Sequence, residues 1–190
     1  MTYEKRGPWS ITSKRPVYDN QWISVTHHEV VTPGGTNGIY GAVHFKQRSV
    51  SVIPVDTEGF TYLVGQYRFM VGRYSWEIPA GGGALDAAPE DIASRELLEE
   101  TGLRARQWQR LAECDLSNSI TDEHSVAFLA WDLLIGGKPS PDPTEELKVQ
   151  RLPLREAFAM VAKGEIRDVV SVVALQAVRL LQLENRIPFS

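Results

Sequence analysis

One stretch constrains this chain more than any other: Gly81 to Leu103, GGGALDAAPEDIASRELLEETGL. Its second half predicts an amphipathic helix. Pro89 suits the first helical position, where its missing N–H costs little. Glu90 and Asp91 follow in the first turn, near the positive end of the helix dipole. Gly102 stands where a helix stops in a left-handed cap. At roughly 100° per residue, Glu96, Glu99 and Glu100 fall within an arc of about 100°. Ser94, Leu97, Leu98 and Thr101 are expected to face the other way, toward a core. Carboxylates on one helix face repel one another by roughly a few tenths of a kcal/mol per i,i+4 pair. On a solvated face that repulsion is tolerable. Lining a cleft, it grows, and a cation relieves it. Oxygen ligands suit a hard divalent ion, Mg²⁺ or Mn²⁺. The helix alone leaves both readings open, an acidic solvated face or a cation site.

The residues before the helix narrow the choice. Trp76-Glu77-Ile78-Pro79-Ala80-Gly81-Gly82-Gly83 reads as a short strand-like piece running into a glycine-rich loop. At Gly81 and Gly82 such a loop can pass close to a metal or a phosphate without Cβ interference. Together the two pieces resemble a Nudix box, G-x5-E-x7-R-E-U-x-E-E-x-G-U, with U a bulky apolar residue. Gly81, Arg95, Glu96, Leu97, Glu99, Glu100, Gly102 and Leu103 all fall on that pattern, and Ala87 stands where its first glutamate is expected. The resemblance implies an α+β fold, an α/β/α sandwich with a mixed sheet between helices. It implies metal binding by Glu96, Glu99 and Glu100, completed by a backbone carbonyl near Ala80. Glu99 and Arg95 join the catalytic set. Arg95 points away from the centre of the carboxylates, so an ion pair bracing the loop is its expected contact.

Composition sets the outer bounds. At 190 residues, 43% hydrophobic and 23% charged, the chain has the make-up of a globular protein of one domain with an appendage. A formal charge of −4 offers no basic footprint for nucleic acid. Handling an anionic substrate therefore requires local Arg, Lys or metal charge. The single cysteine, Cys114, excludes an intramolecular disulfide and a CxxC metal site. The N-terminus has no apolar leader segment, and no stretch approaches the roughly 18 uninterrupted apolar residues of a membrane span. The expectation is a cytoplasmic protein with no membrane partner.

Taken in order, residues 1–16 are polar and show no clear period. Trp22 to Val31 and Ile39 to Phe45 read as the strands of a hairpin around the turn Thr32–Gly38. An isolated hairpin is marginal, so it must pack on another part of the chain or on a second chain. Residues 1–47 resemble the small N-terminal antiparallel sheet of Nudix ADP-ribose pyrophosphatases, with 48–190 as the hydrolase domain. That likeness implies a homodimer built through the sheet. It also implies that Trp22 or Tyr40 stacks on a nucleotide base, although packing at a subunit contact explains these aromatics equally well.

The run Gln66-Tyr67-Arg68 followed by Trp76-Glu77-Ile78-Pro79-Ala80-Gly81 resembles the nucleoside-diphosphate-sugar branch of the same family. Arg68 is placed on the diphosphate, because a guanidinium forks onto phosphate oxygens; a salt bridge to Glu77 is the competing reading. In a strand Glu77 points to the opposite face from Trp76 and Ile78, and by resemblance that face is the active cleft. After the helix, Trp108 to Asp115 and Ser125 to Leu134 read as strands, separated by a polar loop, Leu116 to His124. Glu123 lies where relatives of this branch carry a catalytic glutamate that takes a proton from the attacking water; Asp122 is its rival. His27, His28, His44 and His124 show no metal-ligand spacing. Gly136 to Pro143 is a stiff connector, and two helices, Leu154–Lys163 and Asp168–Leu183, close the chain as core packing. The implied reaction is Mg²⁺-dependent (or Mn²⁺-dependent) hydrolysis of a nucleoside diphosphate sugar, ADP-ribose foremost. GDP-mannose, a UDP-sugar, or a weakly catalytic sensor role suggested by Ala87 are the alternatives.

Overall fold

The computed structural model describes residues 4–140 and 146–188. Pro141 to Pro143 of the connector and Glu145 lie outside the described residues. The chain divides into two compact units, residues 1–48 with 115–124, and residues 49–114 with 125–190.

The first unit is a four-stranded antiparallel sheet in the order β1 (Glu4–Arg6), β2 (Trp9–Asp19), β3 (Ile23–Val31), β4 (Asn37–Phe45). The hairpin β3–β4 runs in register from Ile23↔Phe45 to Val31↔Asn37. Its turn closes through Thr32 N–H to the Thr36 carbonyl at 2.8 Å, with Gly35 at φ 83°. Of residues 1–16, which show no period in the sequence, 4–6 form β1 and 9–16 form most of β2. The register of β2 against β3 shifts between Ile11 and Ser13 and again between Pro16 and Tyr18. Each bulge resets which side chains face inward, so no single alternation survives along the strand. Among the described residues, Ile11 of β2 and Val30 of β3 are the buried apolar side chains of this sheet.

The second unit is a sandwich. One sheet has the order β8 (Ala80–Ala84), β5 (Gln47–Pro54), β10 (Glu123–Ile135), β9 (Leu103–Leu116), and a second has the order β11 (Lys148–Pro153), β6 (Phe60–Arg68), β7 (Arg73–Glu77). Strands β5 and β10 are parallel, from Ser49↔Ser125 to Pro54↔Ala130. A parallel pair is buried on both faces, and the alternation here serves two cores. Val50, Val52, Val126, Phe128 and Ala130 pack with Ile92, Ala93 and Leu97 of α1 (Pro89–Thr101). Ile53, Val55, Ala127 and Leu129 pack instead with Ala157 and Phe158 of α2 (Leu154–Ala162) and Ala174, Leu175 and Val178 of α3 (Val169–Leu183). Burying each large aliphatic side chain contributes about 1.5–3 kcal/mol. Helix α3 is capped by Asp168, which accepts from Ser171 N–H at 2.8 Å. Ser171 Oγ in turn accepts from the Ile78 N–H at 3.0 Å, which fixes the chain just ahead of the glycines. Among the described residues no helix is long and apolar enough to cross a membrane.

Candidate active site

The glycines expected as a loop form strand β8 instead, paired beside β5. The reason is close packing against α1. A Cβ on Gly81 would fall on the carboxyl group of Glu96, and one on Gly83 would come within 2.5 Å of Ile92 Cδ1. Glycine here lets the strand and the helix approach one another.

Helix α1 starts with Pro89 and ends at Gly102 in the left-handed region, φ 74°, with Gly102 N–H donating to the Leu98 carbonyl. Two of the three carboxylates on its acidic face are buried. Glu96 is 9% exposed and Glu100 2%, beside fully buried Leu97 and Ala93. Ser94, Leu98 and Thr101, expected on the core side, are only half-buried. The packing face is thus rotated toward the carboxylates, because Gly81 to Gly83 of β8, which carry no Cβ, leave space for them.

Buried carboxylates need partners. Glu100 Oε2 accepts from the Ala80 N–H at 3.0 Å. Arg95 donates to Glu96 Oε1 and Glu99 Oε2, each at 2.6 Å, and to the Gly82 carbonyl at 2.7 Å. Burial works against charge on Arg95, yet Glu96 and Glu99 outweigh it and hold the guanidinium above its ordinary range. Arg95 therefore ties helix to strand and balances two of the three carboxylates. Among the described residues no three His, Cys, Asp or Glu side chains are gathered as a ready metal cage. The donor chemistry nonetheless fits a hard divalent cation: carboxylates on one helix face, with no sulfur or imidazole among them.

Arg68 forms a two-pronged ion pair with Glu77, Nε to Oε1 at 3.0 Å and Nη2 to Oε2 at 2.5 Å. Glu77 is buried in β7, while the Arg68 side chain is 41% exposed. Glu77 thus orients a guanidinium that is only partly buried.

In the first unit Tyr40 packs edge-on against Trp9, ring centres 5.5 Å apart, and its hydroxyl donates to the Ser119 carbonyl. Both rings line a cavity of about 540 Å³ together with Arg6, His28, His44 and Asp122. Trp22 is 55% exposed and is not part of that lining. Glu123 opens β10, half-buried. Its neighbour Asp122 accepts from His44 Nδ1 at 2.5 Å and from the Phe45 N–H at 2.9 Å. Burial opposes ionisation of Asp122, but these hydrogen bonds prevail and hold its carboxyl below the ordinary value. That makes Asp122 a poor proton acceptor. The role of His44 carries no signal in the sequence, since its partner lies 78 positions away.

The NUDIX domain matches residues 45–173, and the nucleoside diphosphate sugar hydrolase N-terminal domain matches residues 9–43. The chain belongs to the NUDIX family. As a NUDIX protein it is a pyrophosphohydrolase, and members of this family generally use divalent metal ions. It is 36% identical over 171 residues to an ADP-ribose pyrophosphatase of Mycobacterium tuberculosis, covering 87% of this chain and 81% of that one. To an ADP-ribose pyrophosphatase of Bacillus subtilis it is 30% identical over 169 residues, covering 88% and 91%. In fold, this NUDIX chain superposes on the crystal structure of an ADP compounds hydrolase with a TM-score of 0.83, at 20% identity, over 97% of this chain and all of that one.

Proposed function

We propose that the protein hydrolyses the diphosphate bond of a nucleoside diphosphate sugar, with ADP-ribose, split to AMP and ribose 5-phosphate, as its foremost substrate. The observation that carries this reading is the joining on one chain of the NUDIX helix with an N-terminal sheet of the nucleoside diphosphate sugar hydrolase type. The names of the two relatives support the adenine base. The protein acts as a cytoplasmic homodimer joined through residues 1–47, with the hydrolase domain in 48–190.

Glu96, Glu99 and Glu100, with the Ala80 carbonyl, hold the metal, Mg²⁺ or in its place Mn²⁺. When bound, the cation offsets charge on the diphosphate and acidifies water. Arg68 forks onto the diphosphate and stabilises charge that develops as the bridging P–O bond breaks. Glu77 holds Arg68 at the angle this requires. Gly81 and Gly82 let the phosphates approach the backbone. Glu123 takes a proton from the water whose oxygen bonds to phosphorus. Asp122 is already committed to His44 and Phe45, which favours Glu123 as the base. Arg95 keeps Glu96 and Glu99 aligned. Trp22 and Tyr40 are the aromatics available to the base.

The test is phosphate release, coupled through a phosphatase, from ADP-ribose, GDP-mannose and UDP-glucose, each with Mg²⁺ and with EDTA. Metal-dependent turnover greatest with ADP-ribose is expected. Preference for another sugar nucleotide would replace the substrate. Binding without turnover would turn attention to Ala87, whose side chain packs on the Val50–Phe128 core where the family pattern has a glutamate.

A further inference from the structure

We propose that Gln66 and Ser75 determine specificity by binding the hydroxyls of a sugar that flanks the diphosphate. The inference rests on the reading of Arg68 as the partner of the diphosphate, and deepens it. All the residues concerned belong to the β6–β7 hairpin, inside the second unit. The hairpin pairs Arg68 with Arg73, Gln66 with Ser75, and Val64 with Glu77. Alternate residues of a strand point to one face, and directly opposed residues share it. Gln66 and Ser75 therefore lie on the same face as Arg68 and Glu77. The ion pair of Arg68 with Glu77 joins the outer two of these rungs, so it passes across the rung between them, Gln66 opposite Ser75. Gln66 is 7% exposed there and Ser75 8%.

Polar side chains buried to this degree are in the large majority hydrogen-bonded. These two are not: among the described residues, neither the Gln66 amide nor the Ser75 hydroxyl has a hydrogen-bond partner. Nor are they sealed in the core. The sealed side-chain atoms without a partner, among the described residues, are Ser51 Oγ and Thr61 Oγ1. The polar atoms of Gln66 and Ser75 are not among these, so each keeps an edge that a ligand can reach. The chemistry of that edge selects the ligand. An amide donates through N–H and accepts through its oxygen, and a hydroxyl does both. A phosphate oxygen only accepts, and the charged fork of Arg68 suits it better. Sugar hydroxyls donate and accept at adjacent carbons, which matches an amide and a hydroxyl side by side. A nucleoside diphosphate sugar carries such hydroxyls on both sides of the diphosphate, with the base one ribose further away.

The experiment follows release of the nucleoside monophosphate by the full-length protein with Mg²⁺. The substrates are ADP-ribose, the methyl ester of ADP, which has no terminal sugar, and an ADP-ribose whose adenosine carries no 2′- or 3′-hydroxyl. Gln66→Met keeps the length of the side chain and removes its polar end. Its melting temperature is expected to match or exceed that of the parent, because the fold loses no hydrogen bond. Its kcat/KM on ADP-ribose should fall by about tenfold, as for one lost hydrogen bond to a neutral group. On the analogue that lacks the contacted hydroxyls, variant and parent should agree within about twofold. Agreement on the methyl ester would put the contact on the terminal sugar, and agreement on the deoxy analogue would put it on the nucleoside ribose. Ser75→Ala should repeat the pattern at a smaller size, about threefold. No loss on ADP-ribose, or an equal loss on all the substrates, would overturn the sugar contact while leaving Arg68 on the diphosphate. A lowered melting temperature together with an equal loss would assign the amide to the fold instead. If the parent hydrolyses none of the substrates, the proposed function itself falls, and the sugar contact with it.

Discussion

Glu100 and Glu123 are held by two different kinds of structure. Glu100 lies one turn from Glu96 because a helix repeats every 3.6 residues. Its recorded backbone donor, Ala80 N–H, comes from only 20 positions upstream. Arg95, which steadies the same face, is on the helix itself. The segment that carries Glu123 is tied to β4 by contacts of Ser119 and Asp122 that span 77 to 79 positions of sequence. The first arrangement follows once the helix forms and docks on β8. The second exists only after the N-terminal sheet has folded and the 115–124 segment has returned to it. A local device fixes spacing between groups of one kind. A long-range device fixes one segment of the chain against another far from it in sequence.

The largest effect that sharpens this contrast is at Glu100. Glu100→Gln keeps the size of the side chain and an oxygen to accept from Ala80 N–H, so folding should survive. It removes the charge that a divalent cation requires. Several kcal/mol of charge stabilisation is then lost, and kcat should fall by about 10³-fold at about 1.4 kcal/mol per decade. Circular dichroism and Mg²⁺-dependent turnover read the two consequences separately. Retained turnover would break the assignment of the helix face as the metal site.

A smaller pair of effects tests whether the helix site depends on its bare strand. In Gly81→Ala the new Cβ meets the carboxyl group of Glu96, the far end of a flexible side chain. That group can swing aside, so stability should change by about 1 kcal/mol or less while activity falls by about tenfold or more. In Gly83→Ala the Cβ comes within 2.5–2.9 Å of three carbons of Ile92, which is buried in the core. Overpacking of this kind costs about 1–3 kcal/mol. Here the melting temperature should drop while the folded enzyme keeps most of its turnover. If both variants lost stability and activity in parallel, the glycines would be serving the fold alone.

The same contrast explains what could be read from the sequence. Helix α1, its proline start, its glycine stop and the identity of Glu96, Glu99 and Glu100 were legible because each depends on residues within one or two turns. The β3–β4 hairpin and the two closing helices were legible for the same reason. The burial of Glu96 and Glu100 was not, because it depends on β8 lying against that face, and GGG reads as a loop until a helix is known to cover it. Strand β2 was hidden by its two bulges. The attachment of Asp122 to His44 was hidden entirely, since both residues look like solvated loop or strand polar groups, and only the folded sheet brings them together. Arg68 and Glu77, by contrast, were open to pairing on sequence grounds because the β6–β7 hairpin makes them near neighbours.

The smallest effect concerns protonation of Asp122 and tests the long-range side of the comparison directly. The Phe45 N–H points at Asp122 Oδ1, so its amide chemical shift reports whether that carboxyl is ionised. Burial raises the affinity of Asp122 for a proton, while the contacts from His44 and from the Phe45 N–H lower it by more. A group whose folded value is depressed adds stability that is complete above its unfolded value and is lost as pH falls through the folded value. The ordinary value here is 3.8, so the tie should be intact at every pH above it and should loosen only below it. The Phe45 amide is therefore expected to titrate with a midpoint under 3.8. In His44→Ala the midpoint should move upward, because the largest of the lowering contacts is gone. A midpoint at or above the ordinary value in the parent protein would mean that His44 does not hold Asp122 in solution. Glu123 would then have to be placed by the backbone contacts of the turn alone, and the distinction between the two carboxylates would narrow to the elements that carry them.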